Sequence, residues 1–203
     1  SYPQEPEALL SIIEACEKTS STLDVIDTGR VTPGRITWDG PNGAPQRKFM
    51  IETIEGPLCF ATKMLGSYQA YNALLAIEAA RALWKKGWDR ITDATLREGI
   101  ESTVWAGRFE VVSTNPIFII DGGHNPQGAE ALASSLADVV RKGQKVTFVM
   151  GVLADKDYTT EVTFMLPFAK RFIVYKPGNP RALEAENLAE TILNADPSMD
   201  VQV

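Results

Sequence analysis

The sequence predicts an α/β fold in two parts, and three observations lead to this prediction. The 203 residues are 44% hydrophobic and 23% charged, which is close to the average of globular proteins and is enough for a sizeable core. Short β-type runs separated by turn signals fill the stretch from residue 23 to 63. After residue 106, strands alternate with helices, and this alternation is typical of a largely parallel sheet.

The first part begins with a helix and continues into strands. Pro6 followed by Glu7 favours a helix start, and apolar residues then recur at helical spacing as far as Cys16. Thr19–Thr22 ends this helix. The strands predicted next are Leu23–Asp27, Arg35–Trp38, Lys48–Ile54 and Leu58–Thr62. The turns predicted between them are Pro33-Gly34, Asp39–Gly43 and Glu55–Pro57.

Two helices complete the first part. The longer one is predicted over Ser67–Lys86 and is expected to be buried on most sides, because few charges interrupt its apolar middle. Its apolar stripe is predicted to consist of Tyr68, Tyr71, Leu75, Ala79, Ala82 and Leu83, widened by Leu74 and Ile77. The second helix is predicted over Asp93–Val104, with Thr92 as its N-cap.

The second part begins near Ala106-Gly107, so the predicted domains are residues 1–106 and 107–203. It opens with a hairpin in which Thr114-Asn115-Pro116 separates two apolar runs. These runs are Phe109–Ser113 and Ile117–Asp121. The elements predicted after the hairpin are a helix Gln127–Arg141, a strand Val146–Met150, a helix Thr159–Leu166, a strand Phe172–Tyr175, a helix Leu183–Leu193 and a strand Asp200–Val203.

Charge and composition exclude several classes of function. A net charge of −6 gives the chain no broad electrostatic footprint for nucleic acid. Two cysteines, Cys16 and Cys59, indicate a reducing compartment, and the absence of a targeting or membrane segment predicts a soluble cytoplasmic protein. With one histidine the chain cannot form a His-based zinc cluster, and any histidine-dependent step must use His124.

The strongest local signal is the segment Asp121-Gly122-Gly123-His124-Asn125-Pro126, which lies between a buried strand and a helix. In α/β folds this arrangement presents free N–H groups at a helix N-terminus to the anionic part of a nucleotide. Asp121 would accept hydrogen bonds from ribose hydroxyls, the glycines would admit the ligand to the backbone, and His124 would donate to a phosphate. The alternative is an ordinary strand-to-helix turn with an exposed histidine.

A second candidate is Arg108, which lies just before the first strand of the second part. A guanidinium at an interdomain boundary can bind phosphate oxygens with two parallel hydrogen bonds. The alternative is a solvated arginine beside Glu110, because most arginines are simply exposed.

Together these motifs resemble the folylpolyglutamate synthase / dihydrofolate synthase family of the Mur ligase superfamily. The matching segments are Leu65–Ala73, Ala106–Glu110, Asp121–Pro126, Met150–Asp157 and Pro180–Leu188. The resemblance implies the end of a central ATPase domain, in residues 1–106, followed by a Rossmann-like C-terminal domain in residues 107–203. Gly123 departs from the family pattern, in which alanine is common, and Tyr68 stands where histidine is common.

The resemblance also implies roles for individual residues. Gln69 and Asn72 would contact the adenine, and Arg108, Asp121, Gly122, Gly123 and His124 would contact the rest of the ATP. Arg108 and His124 would also act in catalysis, at the phosphates. Asp155, Lys156, Asp157 and Arg181 would lie on the side of the incoming glutamate.

The family's chemistry needs a P-loop, and no G-x-x-x-x-G-K-[ST] segment occurs in these 203 residues. We therefore expect the P-loop, the Mg²⁺ ligands and the folate pocket outside this sequence, the second domain to be truncated at its end, and the chain to be inactive alone. We predict no metal ligands within it.

The reaction implied for the full-length protein is a ligation. ATP phosphorylates a carboxylate of a pteroate or folate substrate, and the amine of L-glutamate displaces the phosphate. The resemblance implies a monomer whose second domain closes over the first. Two alternatives remain, namely another Mur-type amide ligase and a non-catalytic nucleotide-binding module without a P-loop.

Overall fold

The computed structural model describes residues 1–40, 43–54 and 56–203. Within this range the chain divides into two compact units, Ser1–Val104 and Trp105–Val203. Among the described helices, none combines the length and the apolar character that crossing a membrane requires.

The described residues of the first unit form a three-stranded antiparallel sheet and three α-helices. Its elements are α1 (Pro6–Lys18), β1 (Val31–Thr37), β2 (Gln46–Thr53), β3 (Gly56–Thr62), α2 (Gln69–Lys85) and α3 (Asp93–Ser102). The central strand is β2, which pairs with β1 and β3. Burial alternates along β2, where Arg47, Phe49 and Ile51 are buried, so one face of the strand supplies the core.

The core of this unit lies between the sheet and α2. Phe49 and Phe60 stack on neighbouring strands with ring centroids 5.2 Å apart. The α2 residues that pack into the same cluster recur at the spacing of one helix face, and they are Ala70, Ala73, Leu74 and Ile77. This packing fixes the start of α2, where the predicted adenine contacts lie.

The β-rich stretch differs from its prediction at the first strand. Leu23–Asp27 forms no strand within the described chain, since its pairing is limited to Ser1: the amide of Ile26 donates to the Ser1 carbonyl at 2.9 Å. The Asp27 carboxylate then caps a short 3₁₀ turn by accepting from the amide of Gly29 at 2.9 Å. The first strand therefore starts only at Val31.

Two other predictions concern turns. Pro33-Gly34 lies inside β1, where the pairing register with β2 shifts, and a side chain at Gly34 would place its Cβ 1.8 Å from the Lys48 carbonyl oxygen. Gly34 therefore allows the two strands to approach each other closely, and the turn predicted at Pro33-Gly34 is wrong. The turns predicted at Asp39–Gly43 and Glu55–Pro57 include Pro41, Asn42 and Glu55, which lie outside the described residues.

The long helix is confirmed as α2, but its predicted burial is wrong. Leu74 and Ile77 lie at the centre of the buried face, whereas Leu83 is 41% exposed and Ala79 and Ala82 are also exposed. The predicted stripe has helical spacing, but it lies on a face of α2 that is rotated away from the face that packs on the sheet. The Thr92 cap is confirmed, because its hydroxyl accepts from the amide of Thr95 at 3.2 Å.

The second unit combines a hairpin with a parallel α/β layer. Its elements are β4 (Glu110–Thr114), β5 (Ile117–Ile120), α4 (Pro126–Val139), β6 (Val146–Met150), α5 (Tyr158–Met165), β7 (Ala169–Val174), α6 (Ala185–Ala195) and β8 (Asp200–Gln202). β4 and β5 form an antiparallel pair, and β6, β7 and β8 form a parallel sheet in that order. The predicted order of elements is confirmed, with boundaries shifted by a few residues. The burial predicted for the strand before Asp121 is wrong, because Ile117 and Phe118 of β5 are exposed.

The core of the second unit is formed by the inner faces of β7, α5 and α6. Phe172 and Ile192 are fully buried, as is Val162. Phe148 of β6 stacks on Phe172 with ring centroids 5.2 Å apart. This core holds the ends of β6 and β7 in place, and the residues that follow those ends line the candidate site.

Candidate nucleotide and amino-acid site

Two loops of the second unit are bonded to each other at the end of β5. The amide of Gly122 donates to the carbonyl of Gly107 at 2.8 Å. The carboxylate of Asp121 bridges the same loops, because Oδ2 accepts from the amide of Phe109 at 2.8 Å and Oδ1 accepts from the amide of Gly123 at 2.7 Å. The segments 107–110 and 121–123, which the sequence singled out separately, are thus one structural unit.

Left-handed backbone shapes the first loop. Gly107 has a φ of +70° and Phe109 has a φ of +48°, which is rare for an aromatic residue. Phe109 is fully buried, and its bond to Asp121 together with that burial offsets the strain. The amide of Gly107 is also bound, at 2.8 Å, by the Glu110 carboxylate. Arg108 lies between the two left-handed residues with its side chain exposed.

The second loop leads into α4. Asn125 caps this helix by accepting from the amide of Gly128 at 2.7 Å, and Pro126 occupies its first turn. His124 Nδ1 lies 2.9 Å from the carbonyl oxygen of Gly122, a distance at which a protonated Nδ1 donates. This bond orients the ring and leaves Nε2 for a ligand. Gly123 leaves room for the Asp121 carboxylate, since a Cβ there would lie 2.9 Å from Asp121 Oδ1.

The cap of α4 gives a first testable prediction. Replacing Asn125 with alanine removes the acceptor of the Gly128 amide, so we expect the free energy of unfolding of the second unit to fall by about 1 kcal/mol. Chemical denaturation of the chain measures this loss. Asn125→Asp, which keeps a capping oxygen, is the matched control and should stay near the parent value; equal losses for both variants would contradict the capping role.

A cleft of about 240 Å³ lies beside these loops. Residues that directly follow β5, β6 and β7 line it, among them Asp121, Gly151 and Tyr175. Its other polar residues are His124, Lys156 and Glu161, and its apolar wall includes Ala129, Leu132, Phe148 and Met165. Clefts at strand ends of α/β sheets are the usual ligand sites of such folds.

The four residues predicted for the glutamate side have different surroundings. Arg181 Nη1 lies 2.8 Å from Asp155 Oδ2, and the amide of Ala154 donates to the Arg181 carbonyl at 2.8 Å, so these residues join two loops. Asp157 caps α5, accepting from the amide of Thr160 at 3.1 Å. Within the described residues, Lys156 is the member of this set that lines the cleft.

Gln69 and Asn72 lie in the first unit and are bonded to each other. The Asn72 side-chain amide donates to Gln69 Oε1 at 2.9 Å. The Tyr2 hydroxyl donates to Asn72 Oδ1 at 2.8 Å, and burial, with a smaller effect of Tyr71, raises the pKa of Tyr2 to about 12. The phenol therefore stays protonated as a donor.

Comparison with known proteins identifies the second unit. Residues 107–203 match the family model described as Mur ligase, glutamate ligase domain. The chain carries a Mur ligase glutamate ligase domain. The matched range contains both loops and the cleft described above.

Relatives of known name support the same assignment. The folylpolyglutamate synthase of Lacticaseibacillus casei is 33% identical over 150 residues, which are 73% of this chain and 32% of that protein. The dihydrofolate synthase/folylpolyglutamate synthase of Mycobacterium tuberculosis is 36% identical over 125 residues, which are 61% of this chain and 26% of that protein. The chain thus spans about a third or less of the length of these curated relatives.

Solved structures extend the likeness to almost the whole chain. The Mycobacterium tuberculosis folylpolyglutamate synthase complexed with ADP superposes with a TM-score of 0.80 at 24% identity, covering 98% of this chain and 43% of that one. The Thermotoga maritima folylpolyglutamate synthase gives a TM-score of 0.72 at 26% identity, covering 98% and 45%. The Mur ligase fold predicted from the motifs is confirmed.

Sequence reasoning missed two residues that belong with these candidates. Tyr2 lies 70 positions from its partner Asn72, so no local pattern connects them. Glu161 lines the cleft and is 5% exposed. A signal for Glu161 was available, because it is the one charged residue in the α5 sequence YTTEVTFM.

Proposed function

We propose that this chain is part of an ATP-dependent ligase that adds L-glutamate to a pteroate or folate substrate through an acyl phosphate. The glutamate ligase domain in residues 107–203 and the folylpolyglutamate and dihydrofolate synthases among its relatives support this proposal. These relatives favour the folate branch over another Mur-type amide ligase. We further propose that the protein acts in the cytoplasm as a monomer.

The observation that carries the proposal is the bonding between the loops at 107–110 and 121–123. It places the exposed Arg108 side chain and the His124 ring on two segments that are hydrogen-bonded to each other. Each carboxylate oxygen of Asp121 accepts a hydrogen bond from one backbone amide. Each has a further lone pair, which would accept from a ribose hydroxyl. The donor set therefore fits a nucleotide, with hydrogen-bond acceptors at the sugar and cationic or N–H donors at the phosphates.

When bound, ATP with Mg²⁺ supplies the phosphoryl group that activates the substrate carboxylate. Arg108 would bind phosphate oxygens with its guanidinium and stabilise the charge that develops during transfer. In the imidazolium form both ring nitrogens donate, so His124 Nε2 would donate to a phosphate oxygen while Nδ1 donates to the Gly122 carbonyl. Gln69 and Asn72 would bind the adenine, and Gly122 and Gly123 would admit the ligand to the backbone. The Mg²⁺ ligands would lie outside this chain.

On the amino-acid side, Lys156 would bind a carboxylate of the incoming glutamate. It lines the cleft next to His124, so it would hold the nucleophile near the activated substrate. Asp155 and Arg181 form a salt bridge and would orient the loop that carries Lys156. Asp157 would act in the same way, through its cap on α5.

Titration of ATP tests this proposal and separates it from a non-catalytic nucleotide-binding module. We expect the full-length protein that contains this chain to bind ATP with Mg²⁺, and the 203-residue chain alone to bind weakly or not at all. In the full-length protein, Arg108→Ala should raise the Kd or KM for ATP at least about tenfold, because a charge-assisted phosphate contact contributes roughly 1.5–3 kcal/mol. Calorimetry and steady-state kinetics measure these values.

The matched control is Arg141→Ala, which removes an exposed arginine of the same unit that lies away from the cleft. It should leave ATP binding unchanged. Tight, Mg²⁺-dependent binding by the 203-residue chain would mean that the phosphate site is misassigned and would favour the binding-module alternative. A full-length protein that binds ATP but forms no ADP in the presence of glutamate and folate would overturn the ligase proposal.

A further inference from the structure

Glu161 is a buried acid that the mechanism above does not use. It lies in the middle of α5, which packs against α4 and α6, and its residue exposure is 5%. Within the described part of the chain, its Oε1 accepts no hydrogen bond. An unpaired carboxylate in such a position is costly, because burial removes its water without supplying another donor.

The groups around Glu161 show what its free oxygen can bind. Burial raises the pKa of the carboxyl, and the neighbouring Asp157 adds to this effect, whereas His124 and Lys156 act in the opposite direction. Neither residue donates to Glu161 Oε1 among the described residues, and His124 Nδ1 lies against the Gly122 carbonyl. The carboxyl therefore has no hydrogen-bond donor at short range. His124 and Lys156 offset only part of the cost of its burial.

The cleft that Glu161 lines is complementary to a free amino acid. At about 240 Å³ it has room for one, and its polar residues include a cation, Lys156, and an acid, Glu161. A zwitterion carries the two opposite charges, a carboxylate for the lysine and an ammonium for the glutamate. Met165 and Leu132 cover the aliphatic part of such a ligand.

We propose that Glu161 binds the α-ammonium group of the incoming amino acid in this cleft and takes its proton. This inference rests on the proposed ligase function, since it names the group that prepares the nucleophile of that reaction. An ammonium would supply the donor that Oε1 lacks, and a carboxyl that holds its proton more tightly than usual is a better base for an amine. Glu161 is then a catalytic residue, because it touches the substrate.

The ammonium gives one proton to the Glu161 carboxylate and becomes a neutral amine. The nitrogen lone pair forms the C–N bond at the acyl phosphate carbon, and the C–O bond to phosphate breaks with its electron pair on the phosphate. The second amine proton leaves with the phosphate, and Glu161 returns its proton to water when the product dissociates.

Kinetics of Glu161→Gln in the full-length protein test the proposal. Glutamine keeps the shape of the side chain but cannot accept a proton at neutral pH. We expect kcat with glutamate to fall about 10²-fold, which is the lower end for loss of a general base, and KM for glutamate to rise. ATP-dependent trapping of the acyl phosphate by hydroxylamine should remain, because hydroxylamine is already uncharged at neutral pH and needs no base.

A pH profile supplies a second readout that a purely structural role would not alter. Raising the pH deprotonates more of the glutamate ammonium in solution, so the defect of Glu161→Gln should shrink as pH rises. The charged groups that act on Glu161, namely His124, Lys156 and Asp157, are unchanged in the variant. Glu190→Gln, at an exposed position on α6, is the matched control and should behave as the parent protein. Thermal melting shows whether each variant is folded.

The outcomes are distinguishable. Parent protein that gives neither hydroxylamine product nor glutamate product would overturn the proposed function itself. An active parent together with a folded Glu161→Gln variant of unchanged kcat and KM would overturn the role of Glu161 alone. Parallel loss of the glutamate and hydroxylamine reactions would also contradict it, because the residue would then act before amine attack. If Glu161→Gln does not fold, Glu161→Asp keeps a proton acceptor with a shorter reach, so kcat with glutamate should fall while hydroxylamine trapping stays at the parent level; equal loss of both reactions would contradict the role.

Discussion

Replacing Asp121 with alanine should lower the free energy of unfolding of the second unit by about 2–4 kcal/mol and, under the proposed function, abolish ligation by the full-length protein. The carboxylate accepts from the amides of Phe109 and Gly123, and each amide left without a partner costs about 1–3 kcal/mol. The Phe109 amide belongs to a fully buried residue, so water does not readily replace the lost acceptor. The loop that carries Arg108 would also lose one of its two bonds to the β5 end.

Hydrogen exchange measures this prediction residue by residue. We expect the amides of Phe109 and Gly123 to lose protection in Asp121→Ala, while amides in β7 exchange at a rate set by the overall stability. Asp121→Asn is the matched variant, since its single carbonyl oxygen serves one amide and its NH₂ group faces the other donor. Its loss should be smaller than that of alanine. Unchanged protection at both amides in Asp121→Ala would contradict the bridging role.

The second large effect is expected at Arg47, which is 1% exposed in the first unit. Its guanidinium donates from Nε to the Leu65 carbonyl at 2.6 Å and from Nη1 to the Gly34 carbonyl at 2.5 Å. Arg47→Ala leaves these carbonyls unpaired and opens a cavity, so we expect a loss of about 3–5 kcal/mol. Because Leu65 comes just before α2, the start of that helix should loosen as well.

Chemical denaturation followed by tryptophan fluorescence measures the loss, since Trp38, Trp84 and Trp88 all lie in the first unit. Arg47→Lys keeps a cation that reaches one carbonyl and should lose less. Arg35→Ala removes an exposed arginine of the neighbouring strand and should stay within about 0.5 kcal/mol of the parent. A similar midpoint for Arg47→Ala and Arg35→Ala would show that the buried bonds contribute little.

Local chemistry explains which parts of the fold the sequence predicts. Thr92 is a recognisable cap because its bond spans three residues. The hairpin around Asn115 and the order of the elements after it can be predicted from the spacing of apolar residues and from the turn residues between them. By contrast, Leu23–Asp27 has the composition of a strand, but it has too few residues beside it to pair with. Strand formation depends on such partners more than on intrinsic propensity.

In the candidate site, too, local motifs can be predicted from the sequence and tertiary contacts cannot. Motif resemblance found Asp121, Arg108 and His124, but no pattern predicts that one carboxylate ties two of these segments together across 12 positions. It also grouped Lys156 with Asp157, although the first lines the cleft and the second caps a helix. Neighbours in sequence on a loop point in different directions, and only tertiary structure separates their roles.

The left-handed Phe109 has a consequence for how this loop can vary. The Phe109 ring fills the interior, and its backbone adopts the left-handed conformation that turns the chain. Glycine at this position would relax the backbone but leave the interior empty. Another large side chain would fill the interior but keep the backbone strain. Arg108, one position earlier, faces neither constraint. The backbone and the core thus constrain Phe109 twice over, whereas Arg108 is constrained only by the phosphate contact proposed for it.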